Sequence, residues 1–425
     1  MPDLWRALDV APVRLPASAV GGYVELPFTC PADAVLLDVS LEFAQEPEAV
    51  VDFGVLDPVG VRGWSGSARR SARIAQALAT PGYRPGPLPS GRWAVLLGAY
   101  RLPADGLVVR ANVRCLMRGP RWLKGDLHLH TLHSDGQDAP WQVADAAAEL
   151  ALDFVALTDH NTATAWADFP VREDVFAVPG YEWTTSAGHC NLLGEGCALP
   201  DFRVRDPGDA AALLGAARTA DAFACVTHPF DDACAGCAWG WGLDLPFDAV
   251  EVWNGPWRPC NHQALTWWQG QLERGRRLPA LGGSDHHAPH PFVRRGMPTT
   301  WVLAEEPTPQ GVLAALRAGH AALSVGPEGP LLDLRCGPHV QGDLVPCGAA
   351  GPLSLQADAR PGDRLRLYTE AGLTREDVLV DGRVDLTFDR GGHRFWRAEL
   401  WRWFEEVRWE LPAAISNPLY FAKDA

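Results

Sequence analysis

The stretch "GDLHLHTLHSDG", residues 125–136, places three histidines and two aspartates in twelve positions of a 425-residue chain that has thirteen histidines. As a strand it turns Leu127 and Leu129 to one face and His128 and His130 to the other, because strand side chains alternate. The leucines can lie on a hydrophobic layer while both imidazoles converge on an opening. Neutral imidazole is a common ligand of Zn, Fe and Mn. Two ligands do not make a metal site, so the surrounding sequence must supply the others.

From about residue 120 to 326, short apolar strands alternate with Ala- and Leu-rich helical stretches. The helix "WQVADAAAELA" precedes the strand "FVALTDH", and "DVFAVPGYEW", "AFACVTHP", "AVEVWNG" and "LPALGGSDHH" follow, then the helix "TPQGVLAALRAG" and the strand "AALSVG". This order predicts a parallel α/β layer or barrel, with functional residues at the C-terminal ends of its strands. Residues 1–118 read as a β-sandwich: "AVLLDVSLEF" and "VVRANVRC" alternate apolar with polar positions, and the loops between them are dense in Gly and Pro. Residues 327–425 return to strand signals in "RLRLYTE", "FWRAELWRW" and "DVLVDGRVDLTFD", where Asp381-Gly382 predicts a hairpin turn.

A formal charge of −15 and the absence of a basic stripe argue against duplex nucleic acid, which is held by phosphate neutralisation along a whole path. A small anionic substrate remains compatible with metal ions and a few arginines. The N-terminal residues show no export signal and no run approaches eighteen apolar residues, so a cytoplasmic protein without a membrane span is expected. The ten cysteines are accordingly expected as reduced thiols, with Cys234 and Cys237 of "CAGC" as bystanders in a loop after His228.

Ten of the thirteen histidines lie between His128 and His290. The predicted strands end successively in His128, His130 and Asp135; in Asp159 and His160; in Glu182 followed by His189; in His228; in Asn254; and in Asp285 with His287. A parallel layer brings these ends to one rim. Apolar strand bodies with polar tips point to a metal centre rather than to a polar surface. No Ser-His-Asp elbow, P-loop or dinucleotide fingerprint is present to suggest another chemistry.

The ordered motifs "DLHLHTLHSDG", "ALTDHNT", "GYEW", "GHCNLLG", "THP", "EVWNG" and "GGSDHH" resemble those of the PHP (polymerase and histidinol phosphatase) superfamily. "GHCNLLG" with the later "ISNPLY" resembles its CehA/McbA-type metallohydrolase branch. The resemblance covers residues 119–326. It implies a distorted (β/α)7 PHP barrel, flanked here by N- and C-terminal β-sandwich-like domains, with two or three divalent ions (Mn, Zn or Fe) at its rim. By position, one ion would take His128, His130, Glu182 and Asp285. A second, sharing Glu182, would take His189 and His228. A third would take Asp135, His160 and His287. Asp126 and Asp159 fall where groups orienting ligand imidazoles sit, and with His287 they are the candidates for catalytic work. His133, His286 and His290 read as rim positions. Arg294 and Arg295, in "PFVRRGMP", and Asn254 are candidates for holding the substrate, since guanidinium forks suit phosphate.

Such a centre suits a metal-dependent hydrolase, foremost a phosphoesterase acting on a small phosphate ester or nucleotide through a metal-bridged hydroxide. A carboxylic or carbamic ester hydrolase with the same centre and a non-catalytic PHP-like scaffold are the alternatives. The β-domains leave a homo-oligomer interface open.

Overall fold

A computed structural model describes residues 4–44, 49–349 and 351–422, which fall into two compact units. The first holds the residues up to 121 with the short segments 171–176 and 305–308. It contains two antiparallel sheets, one ordered 5–8, 107–117, 34–42, 71–75 and the other 23–30, 91–101, 50–56, 61–64. In 107–117 buried and exposed residues alternate, as expected of a strand with one face on a core. Leu37, Val39, Val109 and Val113 of one sheet share that core with Phe53, Val55, Trp93 and Val95 of the other.

The second unit carries the histidine-rich segment. The strands along its main sheet, in chain order, are β1 (Arg121–Leu129), β2 (Phe154–Leu157), β3 (Phe176–Thr185), β4 (Gly188–Leu193), β5 (Phe223–Thr227), β6 (Ala249–Asn254), β7 (Ala280–Gly283), β8 (Thr299–Ala304), β9 (Ala321–Ser324), β10 (Arg364–Thr369), β11 (Gly372–Val378), β12 (Phe395–Phe404) and β13 (Trp409–Ser416). They form one sheet in the order β7-β6-β5-β4-β3-β2-β1-β8-β9-β13-β12-β10-β11. The sheet curls so that the tip of β7 returns to β1: Asp285 N donates to His128 O (2.8 Å) and His130 N to His286 O (3.1 Å). Strands β5 and β6 are buried along their whole length, as strands covered on both faces must be.

The expected (β/α)7 barrel is corrected in two respects. The pair β1–β2 and the pairs β5–β6 and β6–β7 are parallel, but β4 runs antiparallel to both of its neighbours. Among the described residues only four α-helices occur: α1 (Pro140–Glu149), α2 (Pro207–Thr219), α3 (Pro259–Glu273) and α4 (Pro309–Ala318). The reason is local. Only Ser186 and Ala187 separate β3 from β4, and the connection "HPFDDACAGCAWGWGLDLPFD" between β5 and β6 is too rich in Gly, Pro and Asp to hold a helix.

The sheet runs past residue 326 without a break. β9 pairs antiparallel with β13, and Asn417, just beyond β13, accepts from Ala280 N (2.8 Å) while its amide donates to Ala280 O and Ala321 O (both 3.0 Å). A four-stranded sheet of 339–340, 333–336, 353–358 and 383–388 shares its core with β10, β12 and β13 through Leu334, Leu355, Leu367, Leu400 and Ala414. The hairpin expected at Asp381-Gly382 is absent. β11 pairs with β10 while 383–388 pairs with 353–358, so this turn passes between two sheets. Gly382 is not among the positive-φ glycines, which a tight hairpin turn of this type would require.

The reduced state expected for Cys234 and Cys237 is also corrected. The pair forms a disulfide, with Cα atoms 5.5 Å apart on a tight turn, within the range a bridge needs. Seven of the other cysteines are buried thiols. No helix among the described residues is long and apolar enough to cross a membrane.

Candidate metal centre

Strand alternation turns Asp126 and His128 of β1 into the curl, His130 follows just past its end, and the neighbouring tips complete the centre. Four overlapping groups have ligand atoms within 4.8 Å of one another: His130, Asp135, His160 and His287; His128, Glu182 and His228; His128, His130 and Asp285; and His160, Glu182 and His189. All nine residues read from the sequence as ligands are therefore brought together. The third set gains His130, and His189 groups with His160 rather than with His228.

Glu182, buried at the centre of β3, is the hub. Its Oε1 lies 3.2 Å from His128 Nε2, 3.2 Å from His189 Nδ1 and 3.4 Å from His228 Nε2. Its Oε2 lies 2.8 Å from His160 Nδ1 and 3.4 Å from His130 Nε2. Asp285 Oδ1 approaches His130 Nε2 (3.1 Å) and His128 Nε2 (3.3 Å). Asp135, 58% exposed, sits outermost, 3.4 Å from His287 Nε2 and 3.6 Å from His160 Nε2. Asp285 and His228 hold left-handed backbones at φ 53° and 28°. Non-glycine residues rarely adopt these, and they cluster at functional sites. Close packing extends to Gly283, where a Cβ would fall 2.3 Å from that of His128 and 3.0 Å from Glu251 Oε1.

So many imidazoles around few carboxylates distort their protonation. Burial opposes charge on His128, but Asp285, Glu251 and Glu182 outweigh it and hold its pKa well above the ordinary value. Burial also works against the Glu182 carboxylate, yet His128, His160 and His189 hold it well below the usual range, and the imidazoles of His128, His130 and His228 do the same for Asp285. His130, wholly buried, is pushed down. The buried atoms His128 Nε2, both ring nitrogens of His130, Glu182 Oε2 and His228 Nδ1 have no hydrogen bond of acceptable geometry. Buried polar groups are normally satisfied, so this cluster fits a set of metal ligands.

Glu251, in the middle of β6, was missed by the sequence reading. Only 3% exposed, its Oε1 accepts from His128 Nδ1 (3.0 Å) and its Oε2 from His228 N (3.0 Å) and Asn254 Nδ2 (3.1 Å). Holding the Nδ1 proton leaves the His128 Nε2 lone pair aimed at the cluster. The one weak signal was an acid flanked by Val250 and Val252 in a strand buried along its whole length. The Asp285 carbonyl orients His287 in the same way, accepting from Nδ1 at 2.9 Å.

Asp126 and Asp159 do other work than the expected orientation of imidazoles. Asp126 accepts from the backbone amides of His128, Ser284 and Gly296, tying β1 to the loop beyond β7. Asp159 accepts from Thr131 N and Oγ1 and from Ser134 Oγ, anchoring the loop after β1. Asn254 is fully engaged: its amide reaches Asp285 Oδ2 (3.3 Å) as well as Glu251, and its Oδ1 accepts from Arg258 Nη2 (3.1 Å). Arg295 is paired with Asp138, while Arg294 is exposed. Arg258, not singled out from the sequence, is the cation tied to the centre, also bonded to Asp231 (2.8 Å) and one-third exposed. His286 is buried, and desolvation with the nearby Arg295 pushes its pKa down to about 4. His133 bonds Thr164 at 2.8 Å, and His290 accepts from the Phe292 and Val293 amides on the exposed loop.

No family model and no curated protein matches the chain. Among solved structures it is similar to a two-domain protein from Bacteroides vulgatus ATCC 8482 containing a predicted PHP-like metal-dependent phosphoesterase, at 19% identity over 71% of this chain and 95% of that one, with a TM-score of 0.40. It is also similar to an amidohydrolase from Chromobacterium violaceum, at 19% identity over 40% of this chain and 89% of that one, with a TM-score of 0.27.

Proposed function

We propose that this chain is a metal-dependent hydrolase and that its substrate is a small phosphate ester, nucleotides included. The observation that carries the reading is the sharing of Glu182 among overlapping histidine–carboxylate groups whose buried nitrogens lack hydrogen bonds. His128, His130 and Asp285 would hold one divalent ion and Glu182, with His128 and His228 or with His160 and His189, a second. Asp135, His160 and His287 would hold a third on the exposed side. The donor set of imidazoles and carboxylates suits Mn, Zn or Fe. Bound there, such ions supply water activation near neutral pH and neutralise charge developing on the substrate oxygens.

The chain's own residues set the stage for that chemistry. Glu251 and the Asp285 carbonyl hold the Nδ1 protons of His128 and His287, so that each ring, once neutral, turns its Nε2 lone pair to the cluster. Asn254 holds the second Asp285 oxygen and so orients the first toward His128 and His130. Arg258, held by Asn254 and Asp231 yet one-third exposed, is placed to receive an anionic group beside Asp285. It takes over the role that the sequence assigned to Arg294 and Arg295. With a local cation and no need of an extended basic path, the reading favours small substrates over duplex nucleic acid.

The test is elemental analysis of protein purified without chelator, joined to an assay of chromogenic phosphomonoesters, phosphodiesters and aryl esters with Mn, Zn and Fe. At least one ion per chain and metal-dependent phosphate release are expected. Metal content well below one per chain, with no activation on adding these ions, refutes the hydrolase. Carboxylic or carbamic esters turned over far faster than any phosphate would replace the phosphoesterase by the ester hydrolase.

A further inference from the structure

The loop that ends β6 and opens α3 faces the hairpin of β12 and β13 across an open groove of about 620 Å³, walled by Trp257, Trp401, Val407, Trp409 and Leu411. The Trp257 ring is fixed edge-on against Trp253 (5.2 Å) and Trp401 (6.2 Å). Trp409 and Val407 remain 68% and 54% exposed. Apolar surface of this kind, concentrated in one concavity, marks a binding face.

The polar groups in the groove narrow the choice of ligand. Glu410 is consumed by Arg364 (2.9 Å) and Arg366 (3.3 Å), and the Arg366 guanidinium itself stacks on Trp401 at 4.6 Å. His262 stands exposed on the first turn of α3. Arg258 alone leads inward: it donates to Asn254, which donates to Asp285, so the groove's cation stands two hydrogen bonds from the metal centre. A sugar would need several fixed donors and acceptors for its hydroxyls, and the indole walls do not provide them. They suit the face and edge of a flat ring.

Resting on the phosphoester reading, we propose that this groove is the subsite for the organic group of the substrate and that it takes a flat aromatic ring system, the phosphate lying toward Arg258 and the metal centre. The substrate class is then an aryl or arylmethyl phosphate ester. Trp257 and Trp401, at 79° to each other, would offer a face and an edge, and the largely exposed Trp409 a further contact at the rim.

The test is calorimetric binding of 2-naphthylmethylphosphonate, which has the ring and the anion but no ester bond, against methylphosphonate, using the full chain as purified. The naphthyl probe is expected to bind the wild type about tenfold tighter or better, and Trp409→Ala and Trp257→Ala to lose about three- to tenfold of that affinity, the scale of one ring contact. Methylphosphonate binding should not change. Trp409 is largely exposed, so its variant should fold as the parent does. Equal affinity for the two probes, or indole variants that bind the naphthyl probe as the wild type does, overturns the proposal. So does sedimentation showing a dimer that Trp409→Ala dissociates, which makes the groove a contact between copies. The two readings fail separately. Tight naphthyl binding without hydrolysis of any phosphate ester keeps the groove and removes the phosphoesterase. Equal kcat/KM for methyl and naphthylmethyl phosphates removes the groove alone.

Discussion

Replacing Glu251 with Gln tests the orientation of the centre with almost no change of shape. The carboxylate accepts three hydrogen bonds, from His128 Nδ1, His228 N and Asn254 Nδ2, at 3.0, 3.0 and 3.1 Å. A glutamine has one acceptor oxygen and one amide donor. With the oxygen kept toward the His228 and Asn254 donors, the new NH2 meets His128 Nδ1, which can then only accept. The ring must move its proton to Nε2, toward Glu182 and Asp285 at 3.2 and 3.3 Å, where the lone pair was needed. The opposite rotamer leaves the buried His228 amide without an acceptor, a cost of about 1–3 kcal/mol. Either route should weaken metal binding by about ten- to a hundredfold. The assay is competition against a chromophoric chelator, with 15N imidazole shifts reporting the His128 tautomer. Metal affinity within about threefold of wild type, together with an unchanged tautomer, would refute the role given to Glu251.

Three further outcomes are expected. Asp285→Asn and His128→Ala should each lose metal and turnover while keeping the far-UV circular dichroism of the wild type; Asn tolerates the left-handed backbone at 285, so the first change isolates the charge. Gly283→Ala should cost about 1–3 kcal/mol of stability by overpacking and lower metal content, because its Cβ would meet His128 and Glu251; a variant melting with the wild type and fully loaded contradicts that packing. In chelated protein the His128 pKa is raised on folding, so its stabilising contribution is complete below the unfolded value of about 6.5 and is lost as pH rises through the folded value. The melting temperature of metal-free protein should therefore fall above neutrality, and Zn or Mn, which binds deprotonated imidazole, should abolish the fall; a flat profile without metal contradicts the assignment.

What could be read in the sequence follows from which forces are local. The bodies of β1, β2, β5 and β6 and the polar tips beyond them are legible, because burial writes an apolar run and the exit from the core ends it. Glu251 is hidden by the same logic: one acid in "AVEVWNG" does not break a strand pattern, and its partner His128 is 123 residues away. Asn254 and Arg295 read as free to meet a substrate, but Asn254 is held by Glu251 on its own strand and by Asp285, and Arg295 by Asp138, the last two brought in from other segments. At Asp381-Gly382 the turn residues are those of a hairpin, and the pairing is set instead by which sheets can bury Leu365 and Leu355. The antiparallel β4 is a matter of loop length, two residues, that a strand-by-strand reading passes over.

Asn417 carries a consequence for the order of folding. Its side chain bonds both backbone groups of Ala280, at the root of the strand whose tip bears Asp285 and His287, across 137 residues of chain. A ribosome-bound chain can emit every metal-binding side chain long before it emits this clasp. Until then β7 lacks its anchor at the root, and loops of such length close slowly. A nascent chain that has emitted all its metal-binding side chains but not Asn417 therefore lacks both of these bonds at the root of β7.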